Sequence, residues 1–265
     1  MKTYIIQLLF FAQCICVLYG QDVRFSQLNE KDTVAVAQNL ESFDNGSATL
    51  DSLTGSQEST MKILEYYVMH TNEVTTKMKL PIAKSYAVWG KYPEAAELAQ
   101  DYVGTYSNDW RGWRVLGGCK VAMKSYNEAV DALTKAESLG DNGNYSALGG
   151  AALLADRLDV FESIALPHLL MLVNDTKGFP EGERNQMRGL LIVYALKTDN
   201  ESIFLKAIDK VNMRDISQWE ELKNLIAQGC ARFNGSDIDT IRKELQAATE
   251  ISSSLTATNP SPKRQ

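Results

Sequence analysis

The sequence is poor in the residues that build compact chemistry. Its 265 residues include only 4 Cys, 2 His and 6 Pro. Four cysteines are too few for the covalent framework of a disulfide-rich domain. Two histidines leave little material for a general base poised near neutral pH or for a histidine-based metal site. Positive charge is short as well: 27 Lys and Arg stand against 33 Asp and Glu, a net charge of −6. A chain without a positive field loses the non-specific attraction to phosphate backbones, so nucleic acid is not expected as a partner. What remains is the composition of a folded protein, 45% apolar and 23% charged, with enough chain for one elongated domain or two compact ones.

The two ends differ from the middle. Lys2 is followed by an uncharged stretch to Gly20 that contains Ile5, Ile6, Leu8, Leu9, Phe10, Phe11, Ile15, Val17 and Leu18. A basic start, an apolar run and a small residue before Gln21 are the layout of a signal peptide over residues 1–20. Leu18 sits where a smaller residue is preferred, which leaves an uncleaved anchor open, while Gln7 and Gln13 weaken the run as a permanent span. Cleavage leaves 26 basic and 33 acidic residues, a charge of −7, and removes Cys14 and Cys16. Cys119 and Cys230 then read as small buried hydrophobes. Export places the protein in the periplasm or envelope of a bacterial source, or in the secretory pathway or outside the cell of a eukaryotic one. Any membrane contact is through the signal segment alone, if it stays uncleaved.

Five Asn-x-Ser/Thr triplets occur, at Asn45, Asn144, Asn174, Asn200 and Asn234, where about two are expected by chance. Glycosylation fits them, and so does the turn chemistry of Asn and Ser. Residues 21–58 read as an N-terminal extension whose stretch 44–59, rich in Ser, Thr, Gly and Asp, looks like a linker. Residues 252–265 are polar and contain Pro, and read as a disordered tail.

Between these ends the pattern is helical, and it repeats. Tyr92-Pro93-Glu94-Ala95 recurs as Tyr126-Asn127-Glu128-Ala129, an offset of 34 residues. The same offset aligns Ala83 with Gly117, Trp89 with Met123, Ala99 with Leu133 and Tyr102 with Ala136. The unit 110–143 carries Trp113-x2-Leu116-Gly117 and then Ala129-x3-Leu133 and Ala136. In these residues it resembles the tetratricopeptide repeat, a 34-residue helix-turn-helix unit. It departs from that pattern at Lys120, where an aromatic is usual, and at Asp141, where Pro is common.

The resemblance implies an all-α fold, an α-solenoid of antiparallel helix pairs winding as a right-handed superhelix over residues 59–251. Its best repeats are 76–109 and 110–143. Gly117 and Ala129 are then expected where two antiparallel helices cross, with Trp113 and Leu133 filling the space around the contact. After Gly143 the similarity decays: Leu148-Gly149 echoes the Leu-Gly pair and an apolar helical face continues to Leu166, with Pro167 interrupting the second helix, and two further pairs are expected over 180–211 and 217–251. The last opens on the capping box Ser217-x2-Glu220 and repeats the spacing in Trp219-x2-Leu222.

Chemistry is hard to find. His70 and His168 lie in apolar helical stretches without a metal-ligand motif nearby. Gly117-Gly118-Cys119-Lys120 lacks the spacing of a phosphate loop, and no nucleophile elbow is present. No catalytic residue, metal or cofactor is expected. By resemblance, the inner face of the two best repeats carries Lys77, Lys84, Ala87 and Val88, then Arg111, Arg114, Val121 and Ala122. Lys77, Lys84, Arg111 and Arg114 are the candidate peptide-binding residues, a basic patch able to receive a carboxylate or acidic segment. The alternative is that these are solvated surface charges. Gly118 occupies a position where the carboxylate-clamp members carry Asn, so that specificity is not transferred. The functional expectation is a non-catalytic interaction or assembly scaffold that binds a protein or peptide. The alternative is an enzyme, or enzyme subunit, on an all-helical repeat scaffold.

Overall fold

The structure is a computed structural model that describes residues 28–175, 177–209, 211, 220–235 and 237–246. The expected signal peptide, the tail, and Ser217 and Trp219 lie outside these residues. The described chain is all-α, with no strand among the described residues. It divides into two compact units, one up to Phe161 and one from Glu162 onward. The change falls at a π-helical turn, Phe161–Ala165.

The first unit contains α1 (Glu30–Asp44), α2 (Leu50–Thr54), α3 (Gln57–Met69), α4 (Lys79–Val88), α5 (Tyr92–Thr105), α6 (Trp110–Ala122), α7 (Tyr126–Ser138), α8 (Tyr145–Leu154) and the short α9 (Leu158–Val160). From α3 to α9 each helix packs on the next, and α4 also meets α6 as α6 meets α8. Burial follows the 34-residue register: Ala95, Ala96, Leu98, Ala99 and Tyr102 are buried in α5, and so are Ala129, Val130, Ala132, Leu133 and Ala136 in α7.

The turn inside each pair is one motif used repeatedly. Gly90, Lys124 and Asp156 adopt φ of 73°, 62° and 62°. The residue after each donates its N–H to a carbonyl five residues back: Lys91 to Tyr86 (3.0 Å), Ser125 to Lys120 (2.9 Å) and Arg157 to Ala152 (2.8 Å). This is the Schellman arrangement, which caps orphan carbonyls and reverses the chain. Lys91 and Ser125 share the same backbone angles, φ −84° and ψ 65°, before the next helix begins.

The stretch expected to be a linker is folded instead. Residues 44–59 contain α2, with Leu50, Leu53 and Thr54 buried, and α2 packs on α4. Its Ser and Thr residues are helix caps: Thr49 and Ser52 form a capping box around α2, and Ser56 accepts from Ser59 N–H at the start of α3. A composition rich in small polar residues serves caps as readily as linkers. Helix α1 adds Val36, Leu40 and Phe43 to the same core.

The second unit contains α10 (Leu166–Leu172), α11 (Glu181–Thr198), α12 (Glu201–Ile208), α13 (Glu220–Arg232) and helical residues 237–246. Pro167 does not break α10; it stands in its first turn, where a missing N–H is tolerated, just after the π turn. Helix α11 packs on α10, α12 and α13, and every residue from Met187 to Leu196 is buried. A helix covered on all sides is the centre of its unit. The turn after it repeats the first unit's device, with Asp199 at φ 56° and Asn200 N–H bonded to the Ala195 carbonyl at 2.8 Å. No helix among the described residues is long and apolar enough to cross a membrane.

Candidate binding face

The four basic residues expected on the inner face each have a partner within their own unit. Lys77 lies in the turn before α4 rather than on a helix, because α4 begins at Lys79. Its ammonium donates to the Asp44 carbonyl. Lys84, on α4, pairs with Asp51 of α2 at 2.7 Å. The hydrogen bond from Lys84 holds the Asp51 carboxyl below its ordinary range. Asp51 is 92% exposed, so this ion pair is weak.

Arg111 opens α6 and grips Asp109, the residue that caps the same helix. Its Nε lies 2.9 Å and 3.1 Å from the two carboxylate oxygens and its Nη2 is 2.6 Å from Oδ2. Tyr102 of α5 donates its hydroxyl to the same carboxylate at 2.6 Å. Burial pushes the Asp109 pKa up, but the bonds from Arg111 and Tyr102 outweigh it and hold the carboxyl below its ordinary value. The Arg111 guanidinium also stands over the Phe43 ring at 5.7 Å. Arg114, one turn further along α6, binds the carboxylate of buried Asp141 through Nε and Nη2 and stacks on the Trp110 ring at 4.5 Å.

Three of the four therefore converge on one segment. Lys77, Lys84 and Arg111 touch Asp44, Asp51 and Phe43, the end of α1 and the start of α2. Arg114 feels the Asp51 charge as well. The sequence did not expose this, because Asp51 and Asp141 lie 33 and 27 residues from the cations they meet and Asp44 contributes a backbone carbonyl. Each of the four thus has a contact within its own chain, three of them with a carboxylate and Lys77 with a backbone carbonyl. What stays open is an edge beside Arg111, a shallow concavity of about 630 Å³ lined by Tyr106, Asn108, Asp109, Trp110 and Arg111.

The departures from the repeat pattern have roles of their own. Asp141, where Pro is common, holds Arg114 and accepts from Gly143 N–H and Asn144 Nδ2. Lys120, where an aromatic is common, pairs with Glu128. Gly117 is at a helix crossing as expected: a Cβ there would lie 2.6 Å from Leu133 Cγ.

The other candidates are placed as follows. His70 ends α3, stacks on Tyr66 at 4.6 Å and lies 3.1 Å from Glu73 Oε1. His168 is on α10. Cys119 and Cys230 are buried free thiols, and burial pushes the Cys119 pKa up to about 12, which keeps it a packing residue rather than a nucleophile. No group of three or more His, Cys, Asp or Glu among the described residues is arranged to hold a metal ion. Of the Asn-x-Ser/Thr asparagines, Asn45 accepts from Ser47, Asn144 donates to Asp141 and Asn200 caps α12. Compared with protein-family models, with curated proteins and with solved structures, the chain matches none.

Proposed function

We propose that the chain is an exported, non-catalytic binding or assembly module built from tetratricopeptide-like helix pairs stacked as an α-solenoid, and that its basic face takes an acidic segment of a partner protein. The repeat reading is supported by the single turn motif that closes successive pairs and by the 34-residue burial register. Export rests on the apolar run over residues 1–20. The observation that carries the binding reading is that the face already holds a segment of this same chain, with Lys77 on the Asp44 backbone carbonyl, Lys84 on the Asp51 carboxylate and Arg111 over the Phe43 ring. A partner segment extends this contact into the concavity beside Arg111, where Trp110 and the 37% exposed Tyr106 supply the aromatic surface that interfaces favour.

The experiment is fluorescence anisotropy of a labelled glutamate-rich peptide titrated with the full chain, repeated with Lys84→Glu and with Arg111→Gln. Helical content is checked by circular dichroism. Saturable binding that falls several-fold in both variants supports the reading. Absent binding, or binding indifferent to both substitutions, overturns it.

A further inference from the structure

The second unit carries a buried cation to which no carboxylate among the described residues is bonded. Arg188 sits midway along α11 and is 3% exposed, and Asn185, one turn earlier, is 0% exposed. They bond to each other, with Arg188 Nη1 donating to Asn185 Oδ1 at 2.8 Å. That contact uses the only acceptor of the pair. Arg188 Nε, Asn185 Nδ2 and the Nε of Arg184 are all buried without a partner. Arg184 and Arg188 are four residues apart and so share one face of the helix.

The charges around Arg188 make its position worse. Burial disfavours the guanidinium cation, Arg184 repels it, and Glu181, two turns away at the start of the helix, is the one carboxylate that helps. Buried polar groups in folded proteins are almost always satisfied, and a buried cation without a counter-charge is among the most costly arrangements a core can hold. The first unit shows the usual solution, since Arg114 and Arg111 each grip a carboxylate.

We propose that Arg184, Asn185 and Arg188 form a binding site for a small oxyanion. The three buried atoms left without a partner are all donors, so the ligand that satisfies them brings acceptors. Water meets the hydrogen-bonding need but leaves the charge unanswered. A guanidinium fork beside an amide N–H matches the paired oxygens of a carboxylate or a phosphate. Burial restricts the ligand to a small ion or a single projecting group. The site lies in the second unit, independent of the basic face of the first, and the anion becomes part of the core around α11.

The test is thermal unfolding and isothermal titration of the full chain with inorganic phosphate and, separately, with acetate, each against sodium chloride at matched ionic strength. The expected result is a saturable rise in midpoint with phosphate or acetate and none with chloride, as ligand binding to the native state requires. The arm that responds tells a phosphate site from a carboxylate site. Arg188→Met is expected to weaken binding at least about tenfold, equivalent to about 1.4 kcal/mol. If that variant does not fold, Arg184→Met, at the less buried cation, is expected to weaken it by a similar factor. A midpoint that responds to chloride as much as to the oxyanions, that responds to none of them, or that responds equally in the variants overturns the proposal.

Discussion

Asp141 and Arg114 form a bidentate pair in which the carboxylate is 1% exposed and the guanidinium 38%. The pair ties α6 to the loop that leads into α8. It also leaves Arg114, expected on the inner face, with two of its donors already engaged. Asp141→Ala removes the acceptor and leaves the guanidinium half-buried. It is expected to destabilise the first unit by about 2 kcal/mol, in the range of a lost charge-assisted hydrogen bond. Asp141→Asn, which keeps one acceptor oxygen, is expected to lose less. Urea midpoints of the two variants check the order.

The neighbouring glycines Gly117 and Gly118 are expected to respond in opposite senses. A Cβ at Gly117 meets Leu133 Cγ at 2.6 Å, whereas a Cβ at Gly118 has no atom within 4 Å. Gly117→Ala forces α6 and α7 apart and is expected to cost about 1–3 kcal/mol. Gly118→Ala, in open space on the same helix, is expected to stabilise by about 0.5–1 kcal/mol through the chain entropy it removes. Combining Gly117→Ala with Leu133→Ala is expected to cost less than the sum of the two, because the new methyl occupies part of the space that Leu133 vacates. Equal midpoints for the two glycine variants contradict this account.

Gly117 was legible in the sequence because a small residue at a helix crossing belongs to a repeated pattern, and its 34-residue register fixed the pairing of α4 to α7. The fold of α1 and α2 was not, because Thr49, Ser52 and Ser56 read equally well as linker residues until their caps are seen. The candidate face was half legible. Position along a helix nominated Lys84, Arg111 and Arg114, but their partners are Asp51 in the short helix α2, the cap Asp109 and the loop residue Asp141, which the 34-residue periodicity does not describe. Arg188 was missed for the opposite reason. The run Glu181 to Arg188 reads as the polar opening of a helix, and nothing local reveals that the rest of the unit covers it.

Lys124 is strained where Gly90 is not. Both occupy the same left-handed position in successive copies of one turn, at φ 62° and 73°. An L-residue with a Cβ loses about 1–2 kcal/mol there relative to its preferred backbone. Lys124→Gly is therefore expected to raise stability by about 1 kcal/mol, after the extra unfolded-state entropy of glycine is offset. Gly90→Ala is expected to lower it by a similar amount. Asp156→Gly repeats the test in the third copy, and thermal or urea midpoints of the three variants read the result.

The Tyr102–Asp109–Arg111 cluster sets a pH window for the first unit. The Asp109 pKa is held below its ordinary 3.8 by Arg111 and Tyr102 against the opposing effect of burial. A depressed carboxyl contributes stability that is present above pH 3.8 and is lost as pH falls through the lower folded value. Tyr102 behaves oppositely: burial first, and then its bond to Asp109, raise its pKa well above 10.0. Its contribution is present below pH 10 and is lost as pH rises beyond it, because the unfolded chain ionises first. Asp109→Asn is expected to flatten the acid limb below about pH 4 and to cost about 2 kcal/mol near neutrality, where a charge-assisted network is replaced by a neutral one. Tyr102→Phe is expected to leave the acid limb shallower, since one of the two bonds holding Asp109 is gone, and to remove the cluster's share of the loss above pH 10. Urea denaturation from pH 2.5 to 11 on the three proteins measures both limbs, and an acid limb unchanged in Asp109→Asn assigns the loss to other carboxylates.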